Sequence, residues 1–334
     1  MTNPWSLRPW GLLQWLLPKL SPTKWSVIGA ISPGHRSLTC WRLLKTNDML
    51  EKGTLLRIQD EDDRFRDQTE ARLTERCAEF LANGGATGDI RDCHLMDYYD
   101  KISDEVLAFA ELAGPSIILD ITALPKRFFF PMLRDLLRDS RVSHLLATYT
   151  VPKRYTARPL AENFNTWSPL PTFREVSRDW RPDMMIVNVG FLAMGLPEHL
   201  NPEETGDSLK FLLPFPTPPP DNLRNWEVLQ KLDDQSRVRS RVEIIPVHSR
   251  DVPDAYDLIA SLGEGGSKRV ILAPYGPKPI SLAMCLYASR FKQPVYYTQP
   301  RAYHPDYSIE VSTVNGHPEV YGYCIKLAGR TLYA

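Results

Sequence analysis

The chain has 334 residues, room for two domains of ordinary size, and 43% are hydrophobic, so each half can bury a core of its own. Lysine plus arginine equals aspartate plus glutamate at 40 each, so no global charge points to a nucleic-acid or membrane partner, and any basic site is local. The five cysteines (Cys40, Cys77, Cys93, Cys285 and Cys324) contain no CxxC pair and read as free thiols of a reducing cytoplasm.

The chain opens on an arm, residues 1–22, with Trp5, Trp10 and Trp15 among leucines. Its apolar run, Trp10 to Leu17, falls short of the ~20 residues of a membrane span, and the tryptophans and Pro18 argue against a cleavable leader. Three roles stay open for it: a short amphipathic helix packed on the protein, a docking segment for a partner, or a surface membrane helix. Next come a strand over Trp25–Ile31, the turn Ser32-Pro33-Gly34-His35 and a helix over Arg36–Lys45. Strands are expected at Thr54–Ile58 and Asp92–Leu95, and helices at Arg64–Leu81 and Ile102–Leu112. Ser116–Asp120 is the clearest strand, followed by a helix Arg127–Arg138 that carries Pro131 early and by a strand His144–Thr150.

A proline-marked segment, residues 159–182, reads as a linker between lobes at 23–158 and 183–334. The second lobe repeats the alternation, with strands at Asp183–Val189, Leu209–Leu213, Val242–Val247, Arg269–Ala273 and Pro294–Thr298. Its helices are expected at Asn222–Leu232, Asp254–Leu262 and Ile280–Phe291, and Phe215 to Pro220 reads as a proline-rich surface loop. This alternation predicts an α/β fold of two tandem Rossmann-like lobes, each a mostly parallel sheet flanked by helices.

The lobes share more than a rhythm. Pro125-Lys126 recurs as Pro277-Lys278, and Tyr149-Thr150-x-Pro152-x-x-Tyr155 recurs as Tyr297-Thr298-x-Pro300-x-x-Tyr303, which points to an internal duplication. Both Pro-Lys pairs fall where a strand leads into a helix, the edge of a parallel sheet at which ligands bind. A helix amino terminus favours an anion there, and Lys126 and Lys278 add full charges. Thr122 offers a hydroxyl and Gly276 permits close backbone approach. The alternative is that each pair only starts a helix. Tyr155 and Tyr303 either stack on a base or brace their loops. In the first loop Arg36 is a candidate anion contact and His35 a candidate acid or base, against a solvated helix start. Gly190 to Gly195, its second-lobe counterpart, has no charge.

Familiar signatures are missing. There is no GxxxxGK[ST], no GxGxxG after a strand, no GxSxG and no HExxH, and no histidine has metal-ligand spacing, so neither metal nor cofactor is expected. Asp60 to Asp63 reads as a solvated helix start rather than a metal site.

The stretch Asp120-x-Thr122-x-x-x-Lys126 resembles the signature loop of the CARF superfamily, and two such lobes in one chain resemble SAVED domains. The resemblance rests on Asp120, Thr122 and Lys126 in the first lobe and on Gly276 and Lys278 in the second, with Ala123, Leu124 and Pro125 standing where that family has flexible residues. It implies a cyclic-oligonucleotide ligand and a place in bacterial antiphage signalling. The chain is expected to be a sensor or accessory subunit without enzymatic activity. A nucleotide-type anion would lie between the lobes, held by Lys126, Lys278, Arg36, Asp120, Thr122 and Gly276 under the rings of Tyr155 and Tyr303. A partner, docked on Trp5, Trp10 and Trp15, would supply the effector. Two other readings stay open: a scaffold with degenerate lobes, and a phosphodiesterase using His35, Thr122 or Tyr155.

Overall fold

The computed structural model describes residues 7–60, 64–175, 177, 179–191, 194, 196, 200, 205–216, 221–233 and 242–333. Trp5, Glu61 to Asp63, Leu192, Ala193, Gly195 and Thr217 to Pro220 lie outside the described residues. The fold is mixed α/β, with two units that each carry a mostly parallel sheet flanked by helices.

The first unit comprises residues 1–163 and 300–332. In chain order its strands are β1 (Trp10–Leu12), β2 (Trp25–Ile31), β3 (Leu50–Gln59), β4 (Ile90–His94), β5 (Ser116–Asp120) and β6 (His144–Thr150). The sheet runs β4-β3-β2-β5-β6, all parallel, and continues antiparallel through the strand Val320–Leu327 to β1. All seven residues of β2 are buried, as a central parallel strand covered on both faces requires. Helices Thr39–Thr46, Arg66–Ala82, Tyr99–Ala113 and Lys126–Arg138 connect the parallel strands. Pro131 is accommodated within the last of these, whose regular hydrogen bonding begins at Pro125.

Several expectations change here. Of the three roles open to the arm, the structure shows packing on the protein, through an edge strand as well as a short helix: β1 pairs with Val320–Leu327, the helix Leu13–Leu16 follows, and Leu13 and Leu17 are fully buried in the core with Trp25, Leu44 and Leu146. Trp10 stacks beside Tyr321 and Tyr323, while Trp15 stays 52% exposed. The arm caps the sheet's last edge, which would otherwise offer unpaired backbone groups. The first lobe does not end at residue 158, because residues 300–332 return to it. The expected linker is also replaced, since residues 164–182 belong to the second unit. Helix Arg36–Lys45 is two pieces, a 3-10 turn His35–Leu38 and the helix Thr39–Thr46.

The second unit, residues 164–299 with Tyr333, holds four parallel strands. They are Met184–Asn188, Ser208–Phe215, Val242–His248 and Val270–Pro274. Their spatial order is third, second, first, fourth, and a parallel bridge from Leu272 to Val295 marks the place of a fifth. The first unit has the same order, third-second-first-fourth-fifth, so the repeat seen in sequence is a repeat of topology. The expected strand Pro294–Thr298 shrinks to that bridge and to Tyr296–Tyr297, which pairs antiparallel with Ser168–Pro169. The helices Lys278–Phe291 and Lys126–Arg138 begin alike, with Pro277 at φ −56, ψ 144 and Pro125 at φ −57, ψ 152.

Candidate functional site

With this strand order, the topological switch point of the first unit lies between β2 and β5, where the loops after these strands diverge. Those loops carry Arg36 and the stretch Asp120 to Lys126.

Asp120 and Thr122 form a closed turn. The Thr122 amide donates to Asp120 Oδ1 at 3.0 Å and its hydroxyl donates to the same oxygen. Thr122 Oγ1 also accepts from the Thr150 amide at 2.9 Å, which ties the loop to the end of β6. Both residues are buried. Their polar atoms shape the loop, an Asx-type turn, and fix where the following helix starts.

That helix starts at Lys126. Lys126 is half-buried, and desolvation pushes its ammonium down to about 7. A cation in the first turn also opposes the helix dipole. Next to it, Arg127 Nη2 donates to the Asp97 carbonyl at 3.0 Å, fastening the loop after β4 to this helix.

Arg36 is a buried brace. Its Nη1 donates to the Thr150 carbonyl at 2.8 Å, its Nε to Ser308 Oγ at 2.9 Å, and its guanidinium lies 5.9 Å from the Tyr149 ring centroid. His35, beside it, meets Arg76 at 2.9 Å through Nδ1, and Arg76 in turn pairs with Glu75 and Glu79.

Tyr155 and Tyr303 come together in the first unit. Both rings make edge contacts with Tyr307, at 5.9 and 6.2 Å between centroids. The Tyr155 hydroxyl meets that of Tyr149 at 3.2 Å, and burial pushes it well above the usual tyrosine range. The Tyr303 amide donates to Asp60 Oδ2 at 3.1 Å. Placing Tyr303 in the second lobe is therefore corrected: the second motif copy leaves that unit at Pro300. Lys153, the cation next to Pro152 in the first copy, pairs with Glu310.

In the second unit Lys278 again opens its helix and is half-buried. Asn188, at the end of the first strand of that unit, donates Nδ2 to the Pro277 carbonyl at 3.0 Å and to Ser281 Oγ at 3.2 Å. Gly276 does permit close approach, but of its own neighbour. A Cβ there would stand 2.2 Å from Asn188 Oδ1 and 2.3 Å from the Val189 carbonyl, and one on Gly190 would stand 2.1 Å from the Tyr275 carbonyl. The two loops of this switch point lie backbone against backbone, which leaves no room for a ligand between them at these glycines.

Two side chains that organise these ends were not singled out from sequence: Asn188, and Thr150 inside the repeated Tyr-Thr-x-Pro motif. The motif itself was the signal for Thr150. Among the described residues no group of three His, Cys, Asp or Glu side chains could hold a metal ion, and no helix is long and apolar enough to cross a membrane.

No family model matches the chain, and no curated protein matches it. Among solved structures, a functionally unknown protein from Pseudomonas aeruginosa PAO1 is similar at 12% identity, with 84% of this chain and 93% of that one covered and a TM-score of 0.25.

Proposed function

We propose that the protein is a non-enzymatic sensor or accessory subunit that binds a nucleotide-type anion at the carboxyl edge of the first unit's sheet. It acts through a protein partner in the cytoplasm, in signalling of the kind that CARF and SAVED proteins serve in antiphage defence. The observation that carries this reading is Lys126. Its ammonium is desolvated and stands against the positive end of a helix dipole, two costs that a bound anion converts into gains. Side chains held at a cost to stability concentrate at functional sites.

The proposal departs from a symmetric site. Lys126 and its turn supply the anion contact, and Lys278 does not, because Gly190 and Gly276 close the second switch point. Tyr155 and Tyr303 brace the segment 300–311 through Tyr307. Mass spectrometry of small molecules released from the purified protein identifies the ligand, and calorimetry with that ligand tests the site. Lys126→Met is expected to abolish binding and Lys278→Ala to leave it unchanged. Unchanged affinity in Lys126→Met sinks the assignment.

A further inference from the structure

One buried cation and one buried hydroxyl in the first unit are left open by their neighbours. Arg36 is 9% exposed, and its hydrogen bonds go to two neutral oxygens, the Thr150 carbonyl and Ser308 Oγ. Among the described residues no carboxylate forms an ion pair with it. Thr150 is 0% exposed and its Oγ1 has no hydrogen-bond partner. Buried charges are ordinarily paired and buried hydroxyls ordinarily bonded.

The strand geometry brings these two groups to one place. Thr148 Oγ1 donates to Sγ of Cys40, the second residue of the helix Thr39–Thr46, at 3.4 Å. Side chains two residues apart on a strand share a face. Thr150 therefore lies on that same face, one step further toward the carboxyl edge. The Arg36 bond to the Thr150 carbonyl brings its guanidinium to this end of the strand. Asp120, the carboxylate on the neighbouring strand, stands opposite Thr148, and its Oδ1 accepts from Thr122.

The duplicate copy supplies the contrast. Thr298, the equivalent of Thr150 in the second Tyr-Thr-x-Pro motif, has its hydroxyl 2.8 Å from that of Tyr275. Where one copy satisfies its threonine hydroxyl internally, the other leaves it without a partner, in a residue whose carbonyl holds an arginine.

We propose that Arg36 and Thr150 form an oxyanion site at the amino end of the helix Thr39–Thr46, taking a phosphate group of the ligand. The proposal rests on the reading of the first unit as a nucleotide-anion binder. With Lys126 as the other anion contact, the ligand proposed is a nucleotide that carries more than one phosphate oxyanion.

Inorganic pyrophosphate is the probe, titrated into the full chain by calorimetry with the melting temperature read alongside. Thr150→Val removes only a hydroxyl that has no internal partner. It is expected to melt no lower than the unmodified protein and to bind about tenfold more weakly, the loss of roughly one hydrogen bond. Thr150→Ser is expected to bind as the unmodified protein does, and Thr150→Ala serves as a second hydroxyl-free variant. Unchanged affinity in both Val and Ala variants, with affinity lost in Lys126→Met, overturns this site and leaves the Lys126 reading standing. Loss in the Thr150 variants with Lys126→Met unaffected does the reverse. No binding by the unmodified protein overturns both.

Discussion

At the scale of single residues, the polar side chains at the carboxyl edge divide into those that build the loop and those that strain it. Asp120, Thr122 and Arg36 direct their hydrogen bonds to backbone and to neighbouring hydroxyls and carboxylates, whereas Lys126 is held where desolvation disfavours its charge. The folded-state pKa of about 7 lies below the ordinary lysine value of 10.5, so between these the unfolded chain binds more protons and stability rises with pH. Lys126→Met is expected to raise stability at pH 7 by about 1–2 kcal/mol and to flatten the rise above pH 7, read by denaturant titration. A variant that is both more stable and unable to bind marks a functional residue; a destabilised Lys126→Met would mark a structural one. His144 and His304 act in the opposite range. Burial lowers both below 6.5, so the fold prefers them neutral, and stability is retained above pH 6.5 and declines as the pH falls through and below it. A melting temperature that stays flat as the buffer is taken from neutral to mildly acidic would contradict this.

At the scale of elements, the strand–helix alternation was legible because each element carries its own period and its own stop. Trp25–Ile31, Ser116–Asp120 and His144–Thr150 match expectation at both ends, being mostly apolar runs bounded by turn residues. The strand Val320–Leu327 and the edge strand β1 were not, since nothing local in either segment states which strand it will pair with, and their pairing spans almost the whole chain. The same limit applies to the site. Pro-Lys located both helix starts, but only the close packing at Gly190 and Gly276 shows that the second switch point is closed there. Gly276→Ala places a methyl against Asn188 Oδ1 and the Val189 carbonyl, and is expected to cost ~1–3 kcal/mol in unfolding free energy with ligand affinity intact. Between the helices Tyr99–Ala113 and Lys126–Arg138, the buried Asp135 carboxylate accepts from Tyr99 at 3.0 Å and from Ser103 at 2.9 Å. Asp135→Ala leaves two hydroxyls without their acceptor and is expected to cost about 2–4 kcal/mol in the same measurement.

At the scale of the whole molecule, the second unit is an insertion within the first rather than its successor. The chain leaves the first unit after Asn163 and re-enters it at Pro300. These two points are neighbours, because Ala161–Phe164 and Pro300–Tyr303 pair as a two-stranded sheet, and the His304 amide donates to the Leu160 carbonyl at 3.0 Å. The first unit closes its own sheet with Val320–Leu327, buries its own arm and holds its own candidate site, all from residues on either side of the insertion. Domains interrupted by an insertion whose ends lie close together tolerate its removal, since a short link spans the gap at little entropic cost. Joining Asn163 to Pro300 through a short Gly-Ser linker is therefore expected to yield a folded first unit with a single cooperative melt, by circular dichroism, that binds pyrophosphate as the full chain does. Ending the chain at Gln299 instead removes the strand that covers β6 and the partner of β1, and the first unit is then expected to lose its cooperative melt. A linked first unit that folds but binds nothing would move the site out of the first unit alone and overturn the asymmetric reading, whichever side chains then prove to hold the ligand.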